Sequence, residues 1–420
     1  MQIGTTTVPD QPAFLPRELQ SLDDTGLPFG MILDLALKHA YFEGTATLDQ
    51  LARRMKLSPV LMHTLYRYLM KEQLCETRKM IANDYEIALT GKGRSMAEIA
   101  MSRNHYAGPV PVPLPDYSQA VNAQTLNVRV TWSNLRAALS DLVLPDSVLR
   151  ELGAALAGGG AILLYGGTGN GKTSIGERLD RLFEDLIYVP YAVEVAGQIV
   201  TVFDPLLHRE AKGEAEPVDA RWVACHRPMI KVGGEMRTDM LDTRLDEATR
   251  VGVAPLQMKA NNGILLIDDF GRQRITPREL LNRWIVPLDR GVDILSLWTG
   301  FNFEIPFDVV VVFATNLSLS DLAEEAFIRR LKNKIRIDPL EEEPFKELLR
   351  RVCAENDISC STAMAEYICR ECQKHAADGL RGCFPADLIR IVRGVASFEQ
   401  REPALTKEDV DEAVRMYFAR

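Results

Sequence analysis

Nothing in this 420-residue sequence approaches the run of about eighteen apolar residues that a membrane helix needs. The longest near-candidate, Val309 to Ala314, has the length of a buried strand. Membrane insertion is therefore not expected. The stretch from Met1 to Asp10 has neither a basic n-region nor an apolar h-region, so no secretory leader is expected. The seven cysteines form no even framework with regular spacing, which argues against a disulfide scaffold. Together these absences point to a reducing, cytoplasmic setting. A cationic surplus is also missing. Lys and Arg number 49 against 58 Asp and Glu, a net charge of −9. That balance opposes bulk attraction to nucleic acid, while leaving room for a local basic face. With 46% apolar and 25% charged residues the chain is globular in composition, and its length suggests about three domains.

Residues 1–28, rich in Thr, Pro and Gln, are expected to form an arm. Residues 29–107 read as a small domain. The apolar spacing predicts a helix over 30–41. A second helix should start at Thr47, where Gln50 completes a capping box, and a third at Ser58 with Pro59 in its first turn. Two short extended pieces, 75–81 and 85–90, follow. Helix, turn, helix and hairpin is the order of a winged helix-turn-helix. His63, Arg67 and Lys71 share one face of the third helix, and Arg78, Lys79, Lys92 and Arg94 lie near the expected wing. DNA contact through residues 43–105 is one reading. Ten Lys and Arg stand there against seven Asp and Glu, and Met62, Leu65, Leu69 and Met70 suit a core or a protein-docking face, so docking of a protein is the other.

The proline-rich run 108–115 is expected to be extended, and residues 108–131 to be a semi-rigid linker. From 132 to 339 helical and strand patterns alternate, with strands expected at 161–165, 187–195, 263–267 and 308–314. From 340 to 420 four helices are expected, at 342–355, 361–375, 385–399 and 407–418.

One motif carries chemistry directly. Gly166, Gly167, Thr168, Gly169, Asn170, Gly171, Lys172 and Thr173 match GxxxxGK[ST] between an expected strand and an expected helix opening near Ser174. Glycines let backbone amides wrap a phosphate, and the helix start adds partial positive charge. Lys172 should reach the β- and γ-phosphates of ATP, and the Thr173 hydroxyl should ligate Mg²⁺. A second motif, the apolar strand 263–267 followed by Asp268 and Asp269, would set a metal-binding carboxylate and a water-polarising carboxylate beside the first.

With both motifs in place, residues 130–420 resemble the AAA+ ATPases. The expected fold class is α/β: a P-loop parallel-sheet αβα core, a C-terminal helical lid and the N-terminal winged helix-turn-helix module. The strand 309–315 followed by Asn316 resembles the one carrying the sensor 1 residue, which implies that Asn316 positions the lytic water. The segment 326–331 resembles the helix end bearing the arginine finger. That implies Arg330, with Arg329 as the alternative, reaching into a neighbouring subunit's ATP in a ring or open ring. The segment from Ser140 to Pro145 resembles the one that packs on adenine. Two departures stand out. Asp269 replaces the usual Glu, implying slow hydrolysis, and Ala386 stands where many relatives carry the sensor 2 arginine, with Arg381 or Arg390 as substitutes. The segments 255–263 and 298–304 resemble the MoxR-like and magnesium-chelatase-like branch. The segments 267–273 and 281–287 resemble bacterial proteins described as predicted ATPases with chaperone activity. This resemblance implies an oligomeric, Mg-dependent ATPase remodelling a protein client. The alternatives are a DNA-bound ATPase switch and a scaffold that turns over slowly. Cys369 and Cys372 are spaced as CxxC within a helical pattern, which suits buried structural thiols better than a metal or redox pair.

Overall fold

The structure is a computed structural model and describes residues 14–82, 84–126, 130–213, 217–322, 331–376 and 378–418. At its centre lies a five-stranded, all-parallel sheet. The strand order is Met229–Val232, Gly263–Ile267, Val309–Thr315, Ile162–Tyr165 and Asn333–Arg336. The two edge strands carry Lys231 and Asn333, Lys334 and Arg336, whereas the three inner strands are short and almost wholly apolar, the composition of strands covered on both faces. Alternation divides their side chains between two cores. Leu163, Leu265, Val311 and Phe313 face Phe270, Leu280 and Trp284. Leu164, Leu266 and Val312 face Leu152, Ile175 and Leu179. Every one of those strand residues is fully buried.

A second, mixed sheet also has five strands, in the order Arg244–Asp246, Val251–Val253, Gln198–Thr201, Ala192–Val195 and Val112–Pro113. Its tight turn uses Ala196 and Gly197, both at positive φ, as a two-residue hairpin requires. The hairpin Val292–Ser296 with Asn302–Pro306 leads into the central strand Val309–Thr315.

The N-terminal unit holds helices Phe29–Glu43, Leu48–Met55, Pro59–Lys71 and Gly91–Arg103 and a three-stranded antiparallel sheet. Thr47 and Gln50 make the reciprocal capping box, and Ser58 accepts from the amide of Leu61. Ile32, Leu35, Leu51, Met55, Leu61, Leu65 and Leu69 fill its core. At the other end of the chain, helices Glu342–Glu355, Thr362–His375, Phe384–Phe398 and Lys407–Tyr417 surround Phe345, Leu349, Ile368, Leu388 and Val392. Cys369 and Cys372 lie in that core as buried free thiols. No helix among the described residues is long and apolar enough to cross a membrane.

Four local expectations change. Residues 108–131 are not a bare extended spacer. Val110 and Val112 are fully buried, Val112–Pro113 pairs with Val193 and Glu194, and helix Leu114–Ala123 follows. The proline at 115 is admissible because the first turn of a helix needs no amide donor there. Helix Gly91–Arg103 was not expected, since Gly91 and Gly93 argue against it by propensity. Thr90 caps it through the Gly93 amide, and a Cβ on Gly93 would stand 2.0 Å from the Leu74 carbonyl oxygen. The expected strand 187–195 is two strands that break at Tyr191, whose amide donates to the Arg221 carbonyl. The helix after the glycine loop spans only Lys172–Arg178, then tightens into a 3₁₀ turn over Leu179–Leu182.

Candidate functional site

The carboxyl edge of the central sheet assembles most of the expected site. Strand Ile162–Tyr165 runs into the glycine loop, which leads into helix Lys172–Arg178. Gly166, Gly169 and Gly171 all adopt positive φ. Crowding adds to conformation at two of them. A Cβ on Gly166 would lie 2.3 Å from the Ile337 carbonyl oxygen, and one on Gly169 would lie 2.5 Å from Cys383 Sγ. Asn170 fastens the loop by donating from Nδ2 to that same Ile337 carbonyl, at 3.0 Å.

Lys172 folds back over the loop. Its Nζ donates to the carbonyls of Gly166 at 3.0 Å and Gly167 at 2.8 Å. Burial pushes its pKa down, while Asp269 and Asp268 pull it back up. The Thr173 hydroxyl donates to Asp268 Oδ1 at 2.7 Å. Ser174 follows on the helix and lines the same cavity as Thr168.

Sheet order explains how Asn316 joins them. Strand Val309–Thr315 lies between the strand feeding the glycine loop and strand Gly263–Ile267, which runs into Asp268. Asn316, just past its end, therefore emerges between the two motifs. Its Nδ2 donates to Thr168 Oγ1 at 3.0 Å, and its buried Oδ1 has no protein partner. A buried acceptor without a partner is costly unless something else satisfies it. Asp269 is exposed and sits in the left-handed region at φ 49°, its amide donating to Asp268 Oδ1 at 3.0 Å. The two arginines expected to act in trans, Arg329 and Arg330, lie outside the described residues.

A cavity of about 430 Å³ opens in front of these groups. Leu142, Val143 and Leu144 form one apolar wall, and Leu340, Leu348 and Ala386 another. The first wall is the segment expected to meet a base. Asp141 holds it, accepting from Arg178 at 2.6 Å and Arg181 at 2.8 Å, and Arg351 donates to the Ser140 carbonyl at 2.9 Å. The C-terminal bundle touches the loop directly, for the Cys383 amide donates to the Gly169 carbonyl at 2.9 Å. Ala386 does line the cavity. Arg381 and Arg390 do not line it; they pair with Asp378 at 2.9 Å and Asp387 at 2.7 Å.

Three polar residues at the site were not singled out from the sequence. Gln273 donates to the Asp268 carbonyl at 2.7 Å and accepts from the Gly271 amide, which fixes the turn after the acidic pair. Lys231 Nζ lies 2.8 Å from Glu177 Oε1 and 3.2 Å from Asp268 Oδ2. The hydrogen bond to Glu177 raises the Lys231 pKa most, with Asp268 adding to it. A signal for Lys231 was available: it is the one charged residue between apolar neighbours in strand Met229–Val232.

The donor set suits a hard cation. Among the described residues no group of three or more His, Cys, Asp or Glu forms a metal cage. Magnesium rarely needs one, being held by one or two oxygen side chains plus substrate phosphates. Thr173 and Asp268 offer those side chains.

The family model of a domain of unknown function, DUF8689, matches residues 341–416. No curated protein matches the chain. Among solved structures, the RuvB Holliday junction branch migration motor of Thermotoga maritima is 16% identical, with 71% of this chain and 73% of that one covered and a TM-score of 0.37. A mutant form of the same protein is also 16% identical, with 70% and 72% covered and a TM-score of 0.35. Likenesses this distant leave the functional reading to the geometry of the site itself.

Proposed function

We propose that this chain binds ATP with Mg²⁺ and hydrolyses it as an AAA+-type ATPase. The observation that carries the reading is the 2.7 Å contact between Thr173 and Asp268, made beside a glycine loop with Lys172 folded over it. In this reading the loop amides cradle the phosphates and Lys172 exchanges its two carbonyl partners for phosphate oxygens. The base enters between Leu142–Leu144 and Ala386. Thr173 and Asp268 hold the magnesium ion, which would neutralise phosphate charge. Asp269 polarises the attacking water and Asn316 orients it, the Asn316 Oδ1 then gaining the partner it lacks. Asp269 is one methylene shorter than a glutamate, so turnover is slow. Arg330, or Arg329, completes the site of a neighbouring copy in a ring or open ring.

Phosphate release from the full chain tests the assignment. Lys172→Ala is expected to abolish it, and Asp269→Asn to lower it about 10²-fold while leaving nucleotide bound. Unchanged release in Lys172→Ala would reject the site.

The work done by hydrolysis is remodelling of a protein client, in a setting we take to be cytoplasmic. We assign residues 1–28 as an arm whose Leu22 and Leu27 join the core of the next module, 29–107 as a winged helix-turn-helix module, 108–131 as a connector that supplies the edge strand Val112–Pro113 of the second sheet, 132–339 as the nucleotide-binding core and 340–420 as the lid. Ion pairing at the first module favours protein docking over DNA. Arg53, Arg54, Arg78, Lys79 and Arg103 pair with Asp49, Glu43, Glu76, Glu86 and Asp34. Val60, Met80 and Ile81 are exposed nearby. The second reading, a DNA-bound switch, rests on His63, Arg67 and Lys71, all exposed on one helix face. Salt-sensitive DNA retention in a gel shift of the full chain would favour it.

A further inference from the structure

Asp268 is surrounded unevenly. Its Oδ1 accepts from the Thr173 hydroxyl at 2.7 Å and the Asp269 amide at 3.0 Å. Its Oδ2 faces a different group, the Lys231 ammonium at 3.2 Å. Strand register puts Lys231 there. Met229–Val232 is the parallel neighbour of Gly263–Ile267, with Lys231 opposite Leu266, two residues before Asp268. The Asp268 amide donates to the Val232 carbonyl at 2.8 Å, which locks the two strand ends together. Lys231 is not held by Asp268 alone. Glu177, on the last turn of helix Lys172–Arg178, takes the same ammonium at 2.8 Å. One cation is thus shared between an acid of the metal-binding pair and an acid outside it.

We propose that Lys231 is a resident counter-ion that sets the divalent-cation threshold of the nucleotide site, acting through Asp268, with Glu177 as the anchor that takes the ammonium over when the metal arrives. The inference rests on the reading of Asp268 as a magnesium ligand. Two cations drawn to one carboxylate compete, because each lowers the potential that attracts the other. Lys231 is tethered, so it is always present. It keeps Asp268 compensated without metal and raises the free magnesium concentration at which the site fills. Glu177 limits that competition by offering the ammonium a second carboxylate at closer range. Lys231 is a positioning residue in this scheme, for it does not line the cavity and acts only through Asp268.

Variants with opposite expected signs test the idea. The readout is binding of Mn²⁺, followed by loss of its free paramagnetic signal, to the full chain saturated with a non-hydrolysable ATP analogue. Lys231→Met keeps the aliphatic stem and removes the charge, and is expected to tighten Mn²⁺ binding about three- to tenfold. Glu177→Gln leaves the ammonium to Asp268 alone and is expected to weaken it by a similar factor. Lys231→Arg should stay near the parent value. A purely structural role would weaken binding in both Lys231→Met and Glu177→Gln, and weaker or unchanged binding in Lys231→Met overturns the proposal. Analogue binding is measured separately in EDTA. If the parent binds no analogue there or with metal, the nucleotide reading itself fails. If it binds normally and the two variants do not diverge, only the role of Lys231 fails.

Discussion

The glycine loop shows at residue scale how backbone freedom and crowding make separate demands. Gly171 needs only its conformation, with no atom within 4 Å of a Cβ and φ at 87°. Gly169 needs both, because φ is 83° and Cys383 Sγ would lie 2.5 Å from a Cβ. Gly171→Ala is expected to cost about 1–2 kcal/mol of stability, the price of a left-handed alanine. Gly169→Ala should cost more and weaken nucleotide binding further, because it also disturbs the bond from the Cys383 amide to the Gly169 carbonyl. Denaturant unfolding and nucleotide titration of the two variants give the comparison. Equal effects would remove the contact between bundle and loop from the account.

At the scale of elements, packing of the loop helix on the sheet is unusually close. A Cβ on Gly176 would lie 2.8 Å from Leu266 Cδ1. Leu266→Ala opens a void in a strand covered on both faces and is expected to cost about 2–5 kcal/mol. Gly176→Ala overfills the same place. Their combination should be markedly less destabilising than the sum, since the added methyl occupies space the leucine vacates. Additive losses in a double-mutant cycle would mean that the two residues do not share that space. These elements were also the most legible in the sequence. The runs 263–267 and 309–315 are apolar, short and bounded by Gly263 and Asn316, and the strands formed there. Helices at 342–355 and 407–417 were readable from periodicity, and in the structure Thr406 caps the second by accepting from the Asp409 amide. Gly91–Arg103 was not readable, because Gly93, which lowers the helix propensity there, is called for by a close approach to the Leu74 carbonyl that the sequence does not display. The glycine loop, Thr173 and Asp268 were legible because their chemistry requires a local motif. Lys231 carried a signal, as a charge in an apolar strand, but its pairing with Glu177 and Asp268 did not, because only strand register and helix placement bring the three together. Gln273 was missed for another reason, since it acts through the local turn after the acidic pair.

For the whole molecule, buried histidines join separate parts of the chain. His39 Nε2 lies 3.0 Å from the Gly108 carbonyl oxygen, tying the first helix to the proline-rich run. His208 sits between the Asp204 amide at 2.9 Å and the Lys259 carbonyl at 2.9 Å. Burial lowers both pKa values below the ordinary 6.5. The unfolded chain therefore binds more protons near that pH than the folded one, so stability falls as pH drops below about 6.5. Melting temperatures recorded from pH 7.5 to 5.5 should decline, and His39→Gln with His208→Gln should flatten the decline. An unchanged slope in the double variant would place the acid sensitivity elsewhere.

The central claim concerns the same scale, because the cavity takes its walls from the core and from the C-terminal bundle. Calorimetry of the full chain with a non-hydrolysable ATP analogue, first in EDTA and then with magnesium, tests it most directly. Saturable binding at one site per chain, tightened by magnesium and lost in Lys172→Ala, is the predicted result. No heat of binding in either condition, with no shift in melting temperature, would contradict it.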